Sequence, residues 1–401
     1  MFAPFWRLRH CCGPLLVFCC ATAWAESTPW PQANHNVAQN PRGHIDIVRW
    51  EQAQGGATAP PQAPPTTPWD VSQAIRAAQA QRPDLLHNPG LGPMDLAQRR
   101  LDALALALQV KKAWYTAIAA QQVLGLYEDH AHAAEASAEL GRRMVQVGNW
   151  SDAKALPTEL NRLDAQTRLA QARLAAETAR MGLWQLTGGP GGQAVRESHL
   201  PSQLPPLPTV HLNHTPEHQQ QLVAAAKAAH PTWPWLDQKA QQALRGLAPS
   251  HQALAQQGPT QAWAQGAPVV GTAWTHPVAE AAQAWAQARA LERQIEAGVV
   301  LAWAQWRHRH QLHQTQTQME ALQARVQDET LLRYNGMLAS TWDLLGAAQN
   351  RLLAQVAAVD GQLNAWLALS QLEGVQLGLP YAGAETAPGN PSPRNPSSAG
   401  H

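Results

Sequence analysis

His308, His310 and His313 stand close together, and neutral imidazole is the commonest protein ligand for zinc and copper. On a helix His310 and His313 share a face. A closed metal site, however, needs three or four converging ligands, each oriented by a second hydrogen bond. Glu128 and His132, with His130 between them, raise the same possibility and stop at the same point. Both groups read as solvated helix faces, and no metal or other cofactor is expected. All four cysteines (Cys11, Cys12, Cys19, Cys20) fall among the first twenty residues, so the rest of the chain has no thiol for a disulfide, a metal site or a nucleophile. With no nucleophile elbow, phosphate loop or zincin motif either, no catalytic residue is assigned.

The residues with a defined local chemistry lie in two turns. One reads Val147-Gly148-Asn149-Trp150-Ser151, with Ser151 as an N-cap for the helix that follows. The other runs from Arg333-Tyr334-Asn335-Gly336 to Ser340-Thr341-Trp342-Asp343. There Ser340 and Asp343 make an S-x-x-D capping box ahead of an apolar run. Gly148 and Gly336 are the residues expected to take the positive φ that ends each incoming helix.

Long helices must hold these turns. The sequence has 401 residues, of which 74 are Ala and 44 Gln, and only 14% are charged. That composition favours long, closely packed helices over sandwiches or doubly wound sheets. A formal net charge of +1 gives no bulk electrostatic case for nucleic acid or an anionic membrane surface. The first 25 residues read as a cleaved export signal, with Arg7 and Arg9 before an apolar stretch and Ala23-Trp24-Ala25 as the cleavage site. Lipid attachment at Cys20 is the alternative weighed against simple cleavage. Residues 26–68 form a Pro/Gln-rich lead-in expected to be disordered, and 381–401 a tail of the same kind. Between them, a Gly/Pro-rich linker at 188–215 separates two helical regions, 69–187 and 216–380.

These regions are copies of one another. Asn161-Arg162-Leu163-Asp164-Ala165-Gln166 matches Asn350-Arg351-Leu352-Leu353-Ala354-Gln355 at an offset of 189, which also pairs Ala113-Trp114 with Ala302-Trp303 and Ser151 with Ser340. Each copy reads as helix, tight turn, helix. Leu156, Leu160, Leu163, Thr167, Ala170, Leu174, Glu177 and Met181 step by four and three along a coiled-coil seam. Leu345, Gln349, Leu352, Val356, Val359, Leu363 and Trp366 repeat that rhythm. The partner helices span about 94–140 and 278–332, roughly 70 to 80 Å at 1.5 Å per residue. Their alanine stripe is expected to pack against helices of other subunits, and the tryptophans to fill gaps between helices.

An exported chain with two helical-hairpin copies and the turn R-Y-x-G-x-x-x-S-x-x-D-L-L resembles the TolC-type outer-membrane efflux family over roughly residues 69–380. Arg333-Tyr334-Asn335-Gly336-Met337-Leu338 looks like a copper-associated subgroup. The resemblance implies a homotrimer whose helices wall a periplasmic tube and whose strands share one barrel in the outer membrane. It implies a passive conduit for metal or drug export, served by an inner-membrane pump and a periplasmic adaptor. Tyr334 and Asp343 fall on the family's aperture positions. Gly148, Ser151, Gly336 and Ser340 fall on the tips that meet the adaptor. Lys154 stands where Asp343 stands in the second copy, so one copy alone supplies the acid.

The strands are where the chain departs from the pattern. Residues 75–83 resemble 223–231 at an offset of 148 rather than 189, which removes 41 residues where the family places a strand pair. Two membrane strands need about 9 to 11 residues each plus a turn. The stretch 85–93 is too short and holds Pro89 and Pro93; in the second copy only 269–274 reads remotely as strand. The expected fold is therefore mainly α, two long antiparallel hairpins with few or degenerate strands. A periplasmic helical scaffold that has lost the barrel is the alternative function.

Overall fold

The computed structural model describes residues 68–85, 90–208, 216–257 and 275–383. The export segment with Cys20, nearly all of the lead-in, the tail from 384 and the 269–274 stretch lie outside the described residues. Among those described there is no strand, and no helix is long and apolar enough to cross a membrane.

Two long hairpins dominate. In the first, α2 (Pro93–Gln146) turns into α3 (Asp152–Thr187); in the second, α7 (His276–Asn335) turns into α8 (Thr341–Gln376). Helix α1 (Val71–Ala80) lies on α2, while α4 (Pro216–Ala229), α5 (Trp233–Arg245) and α6 (Pro249–Gln257) lie along the first half of α7. With 54 and 60 residues, α2 and α7 are about 80 and 90 Å long. Both outrun the spans read from periodicity, because their ends are set by caps rather than apolar spacing. Pro93 and Pro277 start them where a missing N–H does no harm, and Arg143 and Arg333 sit in the last turns, facing the negative end of the helix dipole.

The four long helices form a row in the order α3, α2, α8, α7. One core joins Val110, Trp114, Tyr115 and Ile118 of α2 to Leu183 of α3, Val359 and Leu363 of α8, and Ala74 and Ala78 of α1. The Tyr115 ring stacks on Trp366 at 4.5 Å, and Trp114 Nε1 donates to the Trp69 carbonyl at 3.1 Å. A second core sets Val299, Trp303 and Trp306 of α7 against Leu369, Leu372 and Val375 of α8, with Ala226 of α4. The Lys111–Glu373 ion pair ties α2 to α8. The linker after α3 is part of this body: Val195, Leu200 and Leu204 are buried in the first core, and Gln362 Nε2 and Trp366 Nε1 each donate to the Pro205 carbonyl at 2.9 Å. Gly189 opens it at φ +75°, where a Cβ would stand 1.7 Å from the Gln193 carbonyl oxygen.

The seam expected on α3 is not its packed face. Its packed face is Thr158, Ala165, Ala172, Ala176, Leu183 and Thr187, a stripe of mostly small residues turned to α2. Small side chains let two helices approach closely along their whole length. The leucine stripe points away: Leu156, Leu160, Leu163 and Leu174 are all at least half exposed, Leu174 at 68%. The alanine face thus closes the hairpin within the chain, and the leucine face has no partner among the described residues.

Candidate functional site

The two turns are built alike. At the end of α2, Gly148 N–H donates to the Val145 carbonyl and Asn149 N–H to that of Met144, both at 2.9 Å. At the end of α7, Met337 N–H donates to the Tyr334 carbonyl at 2.9 Å and Leu338 N–H to that of Arg333 at 2.8 Å. Gly148 and Met337 are therefore the equivalent positions, and both have positive φ, +76° and +59°. The expectation for Gly336 fails here: its φ is −82°. Glycine comes one residue too early in the second turn, so a methionine takes the left-handed position. Met337 is 94% exposed and Leu338 beside it 75%.

The caps differ as well. Ser340 and Asp343 form the full box: Asp343 accepts from the Ser340 N–H at 2.8 Å and the Ser340 hydroxyl at 2.7 Å, and its own N–H donates to Ser340 Oγ at 3.2 Å. These bonds, backbone first, hold the Asp343 carboxyl below its ordinary range, with Arg333 adding a smaller push. Ser151 sits at the N-cap of α3 with extended backbone, yet its side chain makes no capping bond. Lys154 occupies the position from which Asp343 returns its bond, and an ammonium cannot accept one. Instead Lys154 lies 5.1 Å over the Trp150 ring, and Trp150 packs on Trp342 at 5.1 Å. That aromatic contact brings the two tips together. Sequence reading passed over it, because Trp150 and Trp342 are not partners in the 189-residue register. Arg142, bonded to Glu139 at 3.0 Å and Glu159 at 2.6 Å, braces the first tip. Tyr334, 39% exposed, stands in the last turn of α7.

At the edges of the row, α3 and α7 each leave an apolar stripe uncovered. On α7 it comprises Leu312, Met319, Leu322 and Val326, stepping by seven, three and four, with Leu331 and Leu332 beyond. Counted from the turns, Leu156, Leu160, Leu163 and Leu174 of α3 stand level with Leu331, Val326, Leu322 and Leu312 of α7.

No family model matches the chain, and no curated protein matches it in sequence. Solved structures do match in shape. The CmeC outer membrane channel of Campylobacter jejuni aligns with a TM-score of 0.51 at 12% identity, over 79% of this chain and 70% of that one. The outer membrane protein VceC of Vibrio cholerae aligns with a TM-score of 0.50 at 13% identity, over 87% and 97%. The fold is TolC-like. Within this TolC-type fold the connection from α1 to α2 is short. It runs from a single turn at Pro83–Leu85 to the N-cap Gly92. Before α7, helix α6 fills the first nine residues of the 249–277 linker, and 258–274 lies outside the described residues.

The histidines fall in three settings. His310 and His313 are half-buried on one face of α7. Burial, then the neighbouring His310, pushes the His313 pKa below the ordinary histidine value. His130 is also lowered, by burial first and then by Arg168. Among the described residues no group of three or more His, Cys, Asp or Glu is placed to hold a metal ion. His230, which the sequence did not single out, is buried, and its Nδ1 accepts from the N–H groups of Thr232 and Trp233, each at 3.2 Å, at the start of α5.

Proposed function

We propose that this chain forms the helical wall of an outer-membrane efflux conduit, a passive homotrimeric duct with no catalysis of its own. The observation that carries the proposal is the pair of uncovered stripes on α3 and α7, at opposite edges of one row and level with each other. An α3 edge of one copy fits an α7 edge of the next, a head-to-tail contact that closes into a ring when the rotation allows. In that assembly the Trp-linked tips face the periplasm, where Gly148, Ser151, Gly336 and Ser340 meet an adaptor, and Tyr334 and Asp343 ring the constriction. An inner-membrane pump supplies the energy and selects the cargo, a metal ion or a drug.

No cysteine follows Cys20, so in a chain cleaved after Ala25 introduced thiols are the only ones present. A Leu163→Cys, Leu322→Cys variant should give disulfide-linked species ending at the trimer under mild oxidation, and each single variant should not. Monomer alone in the double variant, with helix content intact, would defeat the edge-to-edge assembly. If the ring is also a channel, Asp343→Asn should reduce its preference for cations in planar bilayers; unchanged selectivity in a conducting trimer removes Asp343 from the constriction.

One observation favours a second reading, a periplasmic tube that lacks a barrel of its own. The chain between Leu85 and Gly92 is too short for two strands of about 9 to 11 residues each, and α6, which opens the linker before α7, is helical and packed on α7.

A further inference from the structure

A groove of about 1050 Å³ lies between α2, α7 and α8 beneath the linker. Gln121, 9% exposed, lines it and leaves Oε1 without a hydrogen-bond partner. His310 and His313 line it too, each with a buried and unpartnered Nδ1. A buried polar atom without a partner is uncommon enough to call for one. Gln314 Nε2 lies 3.2 Å from His310 Nε2; an amide nitrogen donates, so His310 Nε2 accepts and its Nδ1 carries the proton. Gln121 Oε1 is an acceptor by nature. Farther along the same groove stand Glu128, Asp129 and Glu320, with Glu197 on the linker. Glu128 is shared with Arg173 at 3.5 Å, and among the described residues no lysine or arginine lines the groove.

The floor therefore offers the Gln121 acceptor beside two imidazoles, and the wall offers carboxylates. Gln121 and Asp129 lie on one helix, about 12 Å apart along its axis at 1.5 Å per residue. Metal chemistry does not fit, since the two imidazoles have no third ligand in reach. A protonated primary amine does fit. It carries three donors and no acceptor, and a second ammonium one span away would meet the acids. We propose that this groove binds a linear polyamine, one ammonium at Gln121 Oε1 and another at Asp129 and Glu320. The site lies within one chain, so it stands or falls independently of assembly into a ring.

Isothermal titration of the mature chain with spermidine at low ionic strength should show saturable binding at one site per chain. The uncharged diol of the same length should not bind. Asp129→Asn with Glu320→Gln, both on the groove's open side, should weaken binding roughly tenfold and flatten its salt dependence. Gln121→Leu should weaken it while leaving the salt dependence intact, with circular dichroism confirming the helices in each variant. No saturable binding at ~1 mM spermidine, equal binding of the diol, or an unchanged affinity in the double carboxylate variant would each overturn the proposal.

Discussion

Met337 shows what a single residue out of register does. The two turns use the same backbone path and the same hydrogen bonds, so both need a residue at positive φ after the incoming helix. Gly148 supplies it without strain; Met337 supplies it with a Cβ crowded against the following carbonyl, at a cost of about 1 kcal/mol. Met337→Gly should therefore raise stability against urea by about 1 kcal/mol, and Gly148→Met should lower it by a similar amount. A Met337→Gly protein no more stable than its parent would show that the turn relaxes around methionine. The motif itself was legible: the capping box at Ser340 and Asp343 follows from its spacing. The placement of glycine was not, because a hydrogen-bonded turn fixes its left-handed residue by counting from the helix end, and that end lies one residue beyond where Gly336 implied.

At the scale of elements, periodicity picked out the inward seam of α8, where Leu352, Val356, Val359 and Leu363 are buried, but not that of α3. A stripe of leucines and a stripe of alanines can both repeat in sevens on one helix. Hydrophobicity alone ranks the leucines as core, whereas close approach of two antiparallel helices favours Ala165, Ala172 and Ala176. Helix α5 was out of reach of such reasoning, since its anchor is a histidine acting as a cap. His230 is buried, and desolvation lowers its pKa below the ordinary value of 6.5. Its neutral Nδ1 accepts from the first amides of α5; protonation turns that acceptor into a donor and sets a positive charge at the positive end of a helix. The sign follows: a depressed folded pKa contributes stability that is complete above 6.5 and is lost as pH falls from there through the lower folded value. Hydrogen exchange should show α5 amides losing protection on acidification before those of α2, with His230→Asn abolishing the difference. If α5 and α2 open together at every pH, the cap does not govern α5.

For the whole molecule the question is whether this TolC-like wall carries a membrane barrel of its own. Every backbone group inside lipid must be paired, so a barrel either closes or is absent. Between α1 and α2 this chain has room for a turn and little else. Before α7, the ion pairs of Arg289 with Asp237 and of Lys227 with Glu292 fasten α5 and α4 to the long helix, and Ala240 and Leu244 bury the inner face of α5. These helices precede the linker at 249–277, of which 258–274 lies outside the described residues. On the second reading the chain assembles through α3 and α7 while remaining outside the hydrocarbon layer. Expressed with Cys20→Ala, so that no lipid anchor intervenes, it should leave the membrane fraction in alkaline carbonate, run at one mobility whether or not the sample is heated, and give no conductance in planar bilayers, while cross-linked trimers persist in buffer. A carbonate-resistant, heat-modifiable species that conducts would mean that the chain builds a barrel after all, and the periplasmic tube would give way to the complete duct.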